Sequence, residues 1–235
     1  MSTTPRPLRR PRRSLAGVVA ASALLLSGCG ATGWNPGVGV RAGDETISNA
    51  RVEQITAAYC EALSGQLEEA GQAIEGRLLR GGVAGELALA LAAEQLAAEH
   101  GVDVAGQYDR QVAAIEKAVA DLPEDQQEAV VEVEAARVYV AEAKAAVGRA
   151  LLIEEGNAAP AQEEAVARGE EAFADWLAEH EMRFDPSYGV ALEDGALAPV
   201  DTGLSFADSD AAEQGGKMEA DPGYAAGLPS SQRCG

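Results

Sequence analysis

Aromatic residues, histidine, cysteine and basic side chains are all scarce in this sequence of 235 residues. Aromatics make up only 4% of it although hydrophobic residues make up 47%, so most of the apolar content is Ala, Val and Leu. Side chains of this kind favour helices over a core built from strands. The apolar share is too high for a wholly disordered chain. The sequence therefore predicts a mainly α fold, with one domain or one domain plus tails at this length.

Positive charge is the second scarcity, with 18 Lys and Arg against 38 Asp and Glu and a net charge of −20. Binding to phosphates needs a surplus of Lys and Arg, so the composition argues against a nucleic-acid partner. It also argues against attachment to anionic lipid by charge alone. An acidic protein of this kind favours basic polypeptide clients and stays soluble.

The first 13 residues include five arginines, and the first acidic residue of the chain is Asp44. An apolar or small-residue run of 13 positions follows, Ser14 to Leu26. It ends in Leu26-Ser27-Gly28-Cys29, which resembles a bacterial lipobox. These three features predict a lipoprotein signal peptide over residues 1–28, cleavage between Gly28 and Cys29, and acylation of Cys29 with chains such as palmitate.

The apolar run is too short to span a membrane, which takes about 20 residues. We therefore expect a protein anchored by lipid at the extracytoplasmic face of a bacterial cell membrane, with residues 29–37 as a tether. Cleavage would leave 13 basic residues against 38 acidic ones, a net charge of −25. The alternatives are an ordinary signal peptide with a chance cysteine, and twin-arginine export through Arg12-Arg13.

Hydrophobic periodicity organises residues 38–200 into a helical domain. Residues 38–47 alternate around the turn signal Gly43-Asp44, which predicts a short strand or hairpin. Ser48 is the candidate N-cap of the first helix. The apolar stripe of that helix consists of Val52, Ile55, Tyr59, Leu63 and Leu67.

Four further helical stretches cover residues 74–100, 103–119, 123–153 and 163–181, the second of them capped by Asp103. Gly81-Gly82 predicts a kink or break, because each glycine costs about 1 kcal/mol relative to alanine in a helix. Residues 183–200 read as extended segments with turns. Residues 201–235 predict a weakly ordered C-terminal tail, since Asp, Ser, Gly and Ala dominate there.

Two segments carry a family resemblance: the strand Val40–Ser48 that leads into the first helix, and the segment Phe184-Asp185-Pro186-Ser187-Tyr188-Gly189. Together they resemble the N-terminal chaperone domain of SurA-type and PrsA-type extracytoplasmic folding factors. The resemblance covers about residues 38–200 and implies that the two extended segments lie together and tie the chain around a helical body. With the lipobox and the high alanine content, the sequence resembles an actinobacterial lipoprotein of this kind.

The sequence departs from the family at Asp185 and Ser187, where Asn and Arg are usual. This predicts that the segment Phe184 to Gly189, called the return segment below, is less well bonded than in the family. The alternative is a helical lipoprotein that shares only short turn motifs with the family. In SurA and PrsA the isomerase activity belongs to a separate parvulin domain. The 35 residues after Val200 are too few for such a domain.

The sequence offers little for catalysis. The two histidines, His100 and His180, stand near helix C-termini, where capping is the expected role, and neither has metal-ligand spacing. Adjacent carboxylates on a helix do not face each other, so paired glutamates predict solvated faces. These pairs are Glu68-Glu69, Glu154-Glu155 and Glu163-Glu164. Neither a phosphate-binding loop nor a nucleophile elbow is present. We therefore expect that the protein is not an enzyme and that it binds no cofactor, metal or small-molecule substrate.

Besides Cys29, the chain has Cys60 and Cys234. Two cysteines in an exported domain are candidates for one disulfide. The alternative is a buried free thiol at Cys60 and a reactive one at Cys234.

The function expected from these features is a membrane-anchored chaperone that binds unfolded or exported polypeptides without ATP. The competing hypothesis is a structural or adaptor lipoprotein that binds one dedicated envelope partner. A prolyl isomerase that lacks a parvulin domain is a more distant alternative. Four large side chains are candidates for either a binding groove or the core: Tyr59, Leu63, Tyr108 and Trp176.

Overall fold

The fold comes from a computed structural model of the chain, which describes residues 37–193, 196–200, 209–217 and 221–235. The predicted signal peptide, Cys29 and the tether as far as residue 36 lie outside these residues. The described part is mainly helical with small sheets of two or three strands. This confirms the fold class predicted from the sequence.

The described residues form seven α-helices and seven short strands. The helices are α1 (Asn49–Ala70), α2 (Gly76–Glu99), α3 (Gln107–Ala118), α4 (Glu124–Glu154), α5 (Gln162–Glu179), α6 (Asp210–Gly215) and α7 (Pro222–Gly227). The strands are β1 (Val38–Ala42), β2 (Glu45–Ser48), β3 (Ile74–Glu75), β4 (Met182–Phe184), β5 (Val190–Glu193), β6 (Ala196–Pro199) and β7 (Arg233–Cys234).

Helix α1 begins at its predicted N-cap and ends at a left-handed glycine. The Oγ of Ser48 accepts a hydrogen bond of 3.2 Å from the backbone N–H of Arg51, which confirms the predicted N-cap. At the other end Gly71 has a φ of +63° and donates its N–H to the carbonyl oxygen of Glu68 at 3.0 Å. A left-handed glycine at this position is a common helix terminator.

The predicted break at Gly81-Gly82 is wrong, because α2 is continuous along its whole length. Two of its glycines lie where other segments press against the helix. A Cβ atom on Gly81 would come within 3.1 Å of the Tyr188 carbonyl oxygen, and one on Gly85 would collide with the Leu197 side chain. The absence of a side chain thus permits close packing. This tertiary contact outweighs the low helix propensity of glycine.

Helix α3 begins later than the sequence predicts. Asp103 does not cap it; its Oδ1 accepts a hydrogen bond of 2.9 Å from the Ala105 N–H in the preceding turn. The N-cap is Gly106, whose φ of +91° suits glycine. The Asp109 side chain accepts a hydrogen bond from the Gly106 N–H at 3.3 Å. A local turn at Asp103 therefore competes with the helix and delays its start.

Helices α4 and α5 pack with their backbones in direct contact. A Cβ atom on Gly148 would collide with the carbonyl oxygen of Ala165, and one on Gly169 would collide with that of Lys144. The two helices form the most extensive helix pair among the described residues. Their closeness explains how a core poor in aromatics becomes tightly packed.

The core consists mostly of alanine and valine, as the composition predicts. Its largest cluster lies between α2, α4 and α5 and includes Leu96, Val147, Phe173 and Trp176. A second cluster joins β1 and α1 to the segment after α5. A third lies between α1, α2 and α4. Trp176, one of the four ambiguous side chains, is thus a core residue and only 3% exposed.

The N-terminal hairpin and the segment after α5 form one three-stranded sheet. Strand β1 lies in its centre and pairs antiparallel with both β2 and β4. Val40 lies opposite Phe184, and both side chains are buried. The predicted β element between the start of the domain and the segment after the last long helix is therefore present.

Polar contacts hold the return segment more firmly than the sequence predicts. The Oδ2 of Asp185 accepts a hydrogen bond of 2.7 Å from Asn49 Nδ2, and its Oδ1 accepts one of 2.8 Å from the Ser187 N–H. The hydroxyl of Tyr188, only 1% exposed, donates to Asn49 Oδ1 at 2.5 Å. Partial burial opposes ionisation of Asp185, but the hydrogen bonds from Asn49 and Ser187 lower its pKa. The expectation of a poorly bonded segment at Asp185 and Ser187 is wrong, because Asn49 and the local turn supply the donors.

The structure differs from the predicted weakly ordered tail at residues 221–235. Helix α7 is capped by Asp221, whose Oδ1 accepts hydrogen bonds from two backbone N–H groups. Strand β7 pairs with β3, with Cys234 opposite Ile74. A disulfide joins Cys60 in α1 to Cys234, with Cα atoms 5.5 Å apart. The covalent bridge and the strand pairing attach this segment to the helical body, although Tyr224 and Leu228 are its only large apolar residues.

Candidate functional site

The best candidate site is a groove of about 610 Å³ between β2, α2, α3 and α4. Its wall is mainly apolar and has two tyrosines. The side chains that define it are Ile47, Leu87, Leu91, Tyr108, Val112, Val131 and Tyr139, with Arg51, Glu94 and Glu132 as its charged members. Binding sites in proteins are commonly of this size and combine an apolar wall with a few polar groups.

Helix α3 provides the outer wall of the groove. None of its residues is buried, and it packs chiefly against α4. Its apolar stripe includes Tyr108, Val112 and Ile115, and these side chains are only half-buried. The stripe therefore retains apolar surface that a bound molecule can cover.

The two tyrosines of the groove pack against each other across α3 and α4. The rings of Tyr108 and Tyr139 are 5.3 Å apart between centroids and lie at 89° to each other. In this edge-to-face geometry the ring that contributes its edge keeps both of its π faces for other contacts. Partial burial, and then the charge of Glu94, raise the pKa of both tyrosines. The hydroxyls thus remain protonated at any physiological pH.

Of the charged residues that line the groove, Glu94 on α2 is the best candidate for contact with a ligand. Partial burial raises its pKa, and the negative charge of Glu45 on β2 raises it further. No cation among the described residues forms an ion pair with it. The groove therefore has a carboxylate whose charge none of the described side chains neutralises.

Arg51 of α1 is the cation that lines the groove. Its guanidinium pairs with Glu128 at 2.9 Å and with Glu132, both on α4. The hydrogen bond that Arg51 donates to Glu128 is the main reason that the pKa of Arg51 is raised. A smaller cavity of about 220 Å³ lies beyond this ion pair, between α1 and α4. Because Glu132 is already paired, Glu94 is the unpaired acid of the larger groove.

The other candidate side chains lie outside this groove. The hydroxyl of Tyr59 donates to Glu134 Oε1 at 2.6 Å, and burial together with this carboxylate raises its pKa. Leu63 is half-buried on α1. Of the four ambiguous side chains, only Tyr108 lines the groove, whereas Trp176 is in the core.

The two histidines lie at helix C-termini, as predicted. His100 is the exposed C-cap residue of α2. The ring of His180, at the end of α5, stacks on Trp176 with centroids 4.0 Å apart, and its Nδ1 lies 2.9 Å from the Trp176 carbonyl oxygen. Its Nε2 is 3.8 Å from Glu99 Oε1, which also accepts a hydrogen bond from Trp176 Nε1. These contacts fit a capping role for His180.

The described residues contain no group of three or more His, Cys, Asp or Glu side chains able to hold a metal ion. The adjacent glutamates of the sequence are exposed, as predicted. Glu155 pairs with Arg168 at 3.0 Å, and Glu164 accepts a hydrogen bond from the Ala161 N–H at 3.2 Å. Their contacts are those of helix ends and surfaces.

Comparison with protein-family models, curated proteins and solved structures found no match. The site's own geometry is therefore the basis for a functional proposal. Within the part of the chain that the structure describes, none of the helices is long and apolar enough to cross a membrane.

Sequence reasoning missed Glu94 and Tyr139 as site residues. Each stands in a long helix among many alanines, where a single acid or aromatic looks like an ordinary surface or core position. The feature of the sequence that could have indicated a site is α3, whose apolar stripe is narrow and follows a turn that contains Gly101 and Gly106. The packing of α2 against α4 brings Glu94 and Tyr139 to the same cavity, and α3 adds Tyr108.

Proposed function

We propose that this protein is a membrane-anchored extracytoplasmic chaperone of the SurA and PrsA type, which binds unfolded or exported polypeptides without ATP. The groove between β2, α2, α3 and α4 is the observation that carries the proposal. Its wall offers aliphatic and aromatic side chains that an extended or amphipathic segment can cover. Membrane attachment is through the lipidated Cys29 expected from the sequence.

The architecture around the groove supports this proposal. Strand β2 and the start of α1 form one side of the groove. The hydrogen bonds from Asn49 to Asp185 and from Tyr188 to Asn49 fix this side to the return segment. Helix α3 on the opposite side has few buried contacts. A groove with one fixed wall and one lightly packed wall suits clients of varied sequence.

The proposal is tested by light scattering, with a guanidinium-unfolded test protein diluted in the absence of thiol reductant so that the disulfide is kept. Wild type and two variants of equal charge are compared: Val112→Gln in the groove and Ile153→Gln on an exposed part of α4. We expect wild type and Ile153→Gln to suppress aggregation at stoichiometric ratios. Val112→Gln should need at least about threefold more protein, because an apolar contact worth roughly 1 kcal/mol is lost.

Both variants are first checked by circular dichroism, since neither position is buried and the fold should be retained. Absence of suppression by the wild type contradicts a chaperone function. Equal suppression by all three proteins contradicts the assignment of the client site to the groove. Crosslinking in cells then separates a chaperone, which captures many unfolded clients, from an adaptor, which captures one stable partner.

A further inference from the structure

Within the groove, three side chains from three helices form a distinct polar corner: Glu94 of α2, Tyr108 of α3 and Tyr139 of α4. The remaining wall is mainly aliphatic, and its other polar members are Thr46, Ser48, Arg51 and Glu132. One carboxylate beside two aromatic rings is the chemistry that binds a guanidinium or ammonium group, through an ion pair and cation–π contacts.

Resting on the proposed function, we propose that Glu94, Tyr108 and Tyr139 form a subsite for a single Lys or Arg side chain within an otherwise apolar client segment. The client class is therefore a basic, apolar polypeptide segment. Aliphatic neighbours of the basic residue contact Leu87, Leu91 and Val112 along the groove.

Charge within the groove favours this occupant over an acidic or neutral one. The cation that lines the groove, Arg51, is already paired with Glu128 and Glu132. Glu94 has no cationic partner among the described residues, and Glu45 adds further negative charge nearby. Bringing a positive side chain to this corner relieves repulsion between the two carboxylates. An acidic client segment would add to it.

The groups that face Glu94 also explain why an aromatic pair is useful. Glu94, on α2, lies near enough to Tyr108 and Tyr139 for its charge to raise the pKa of both hydroxyls. A cation bound between the Glu94 carboxylate and one of the rings would contact the carboxylate and the ring face at once. Arginine, whose guanidinium stacks on aromatic rings, should bind more tightly than lysine.

The test uses the full chain and three fluorescent peptides that share one apolar and aromatic sequence but carry Arg, Gln or Glu at the central position. Affinity is measured by fluorescence anisotropy for wild type, Glu94→Gln and the matched control Glu154→Gln. Glu154 is exposed near the end of α4 and outside the groove, so both variants change the net charge equally.

We expect the Arg peptide to bind the wild type most tightly and the Glu peptide least tightly. Glu94→Gln should weaken the Arg peptide about three- to fivefold, the range of a partly exposed ion pair, and leave the Gln peptide unchanged. Glu154→Gln should leave all three peptides unchanged. A Tyr139→Leu variant, which keeps an apolar wall, should also weaken the Arg peptide in preference to the Gln peptide.

Three outcomes overturn the subsite. Equal weakening by Glu94→Gln and Glu154→Gln would mean that only overall charge matters. Binding of the Arg and Gln peptides with the same affinity would leave the groove and the proposed function standing without a cation subsite. Failure of every peptide to bind the wild type would contradict the subsite and the proposed function together.

Discussion

Removing the Cys60–Cys234 disulfide should cost a large part of the stability of the folded chain. The bridge joins positions 174 residues apart, and for a loop of that length the chain-entropy relation gives about 5 kcal/mol. Domains of this kind have a total free energy of unfolding of roughly 5–15 kcal/mol. Loss of the bridge should therefore lower the free energy of unfolding by a third or more.

The C-terminal segment should respond before the helical body. Only two residue pairs connect β7 to β3, and α7 has six residues. Without the covalent link these contacts are too few to keep residues 221–235 in place. Limited proteolysis should therefore cut this segment first in the reduced protein, while the helices remain protected.

The assay is guanidinium unfolding followed by circular dichroism, in a Cys29→Ala background so that two cysteines remain. Oxidised protein, reduced protein and a Cys60→Ala/Cys234→Ala variant are compared. We expect the reduced protein and the variant to agree and to unfold at a lower denaturant concentration than the oxidised protein. The reasoning is refuted if all three unfold together, or if thiol labelling of the oxidised folded protein detects two free thiols.

Two further predictions concern the return segment and Glu94. Tyr188→Phe removes the hydrogen bond to Asn49 and should lower the free energy of unfolding by about 1–2 kcal/mol, measured by thermal unfolding. The control Tyr224→Phe should have a smaller effect. Equal effects of the two substitutions would contradict the role of the Tyr188 contact. Because the pKa of Glu94 is raised in the folded state, its ionisation costs stability above that pKa, and the cost disappears as the pH falls. Glu94→Gln should therefore stabilise the protein at neutral pH but not in acid. The wild type should also bind the Arg peptide more weakly in acid, where Glu94 is protonated, than at neutral pH, and an equal affinity in both would contradict an ionised Glu94.

Local signals in the sequence were reliable where a few neighbouring residues decide the structure. Ser48 caps α1, Gly71 ends it, and the turn at Gly43-Asp44 lies between β1 and β2. Caps and turns depend on hydrogen bonds and φ angles within a few residues. The pairing of two scarce cysteines was also a short step, because the chain offers no other partners besides Cys29.

Predictions failed where distant segments decide the outcome. Gly81 looked like a helix breaker, yet the contact with Tyr188 makes its missing side chain useful. Asp185 looked poorly bonded until Asn49, 136 positions away, was seen to donate to it. The attachment of residues 221–235 depends likewise on β3 and α1, which composition alone does not reveal.

By itself the sequence determined the mainly helical class, the N-cap of α1 and the excess of acid, because these follow from local propensity, periodicity and composition. Tertiary structure alone decided that α3 packs on α4 with its apolar stripe half-exposed. Together with the packing of α2 on α4, this brings Glu94, Tyr108 and Tyr139 from three helices to one groove. A cavity is a property of how elements pack, and the spacing of residues along a single helix does not encode it.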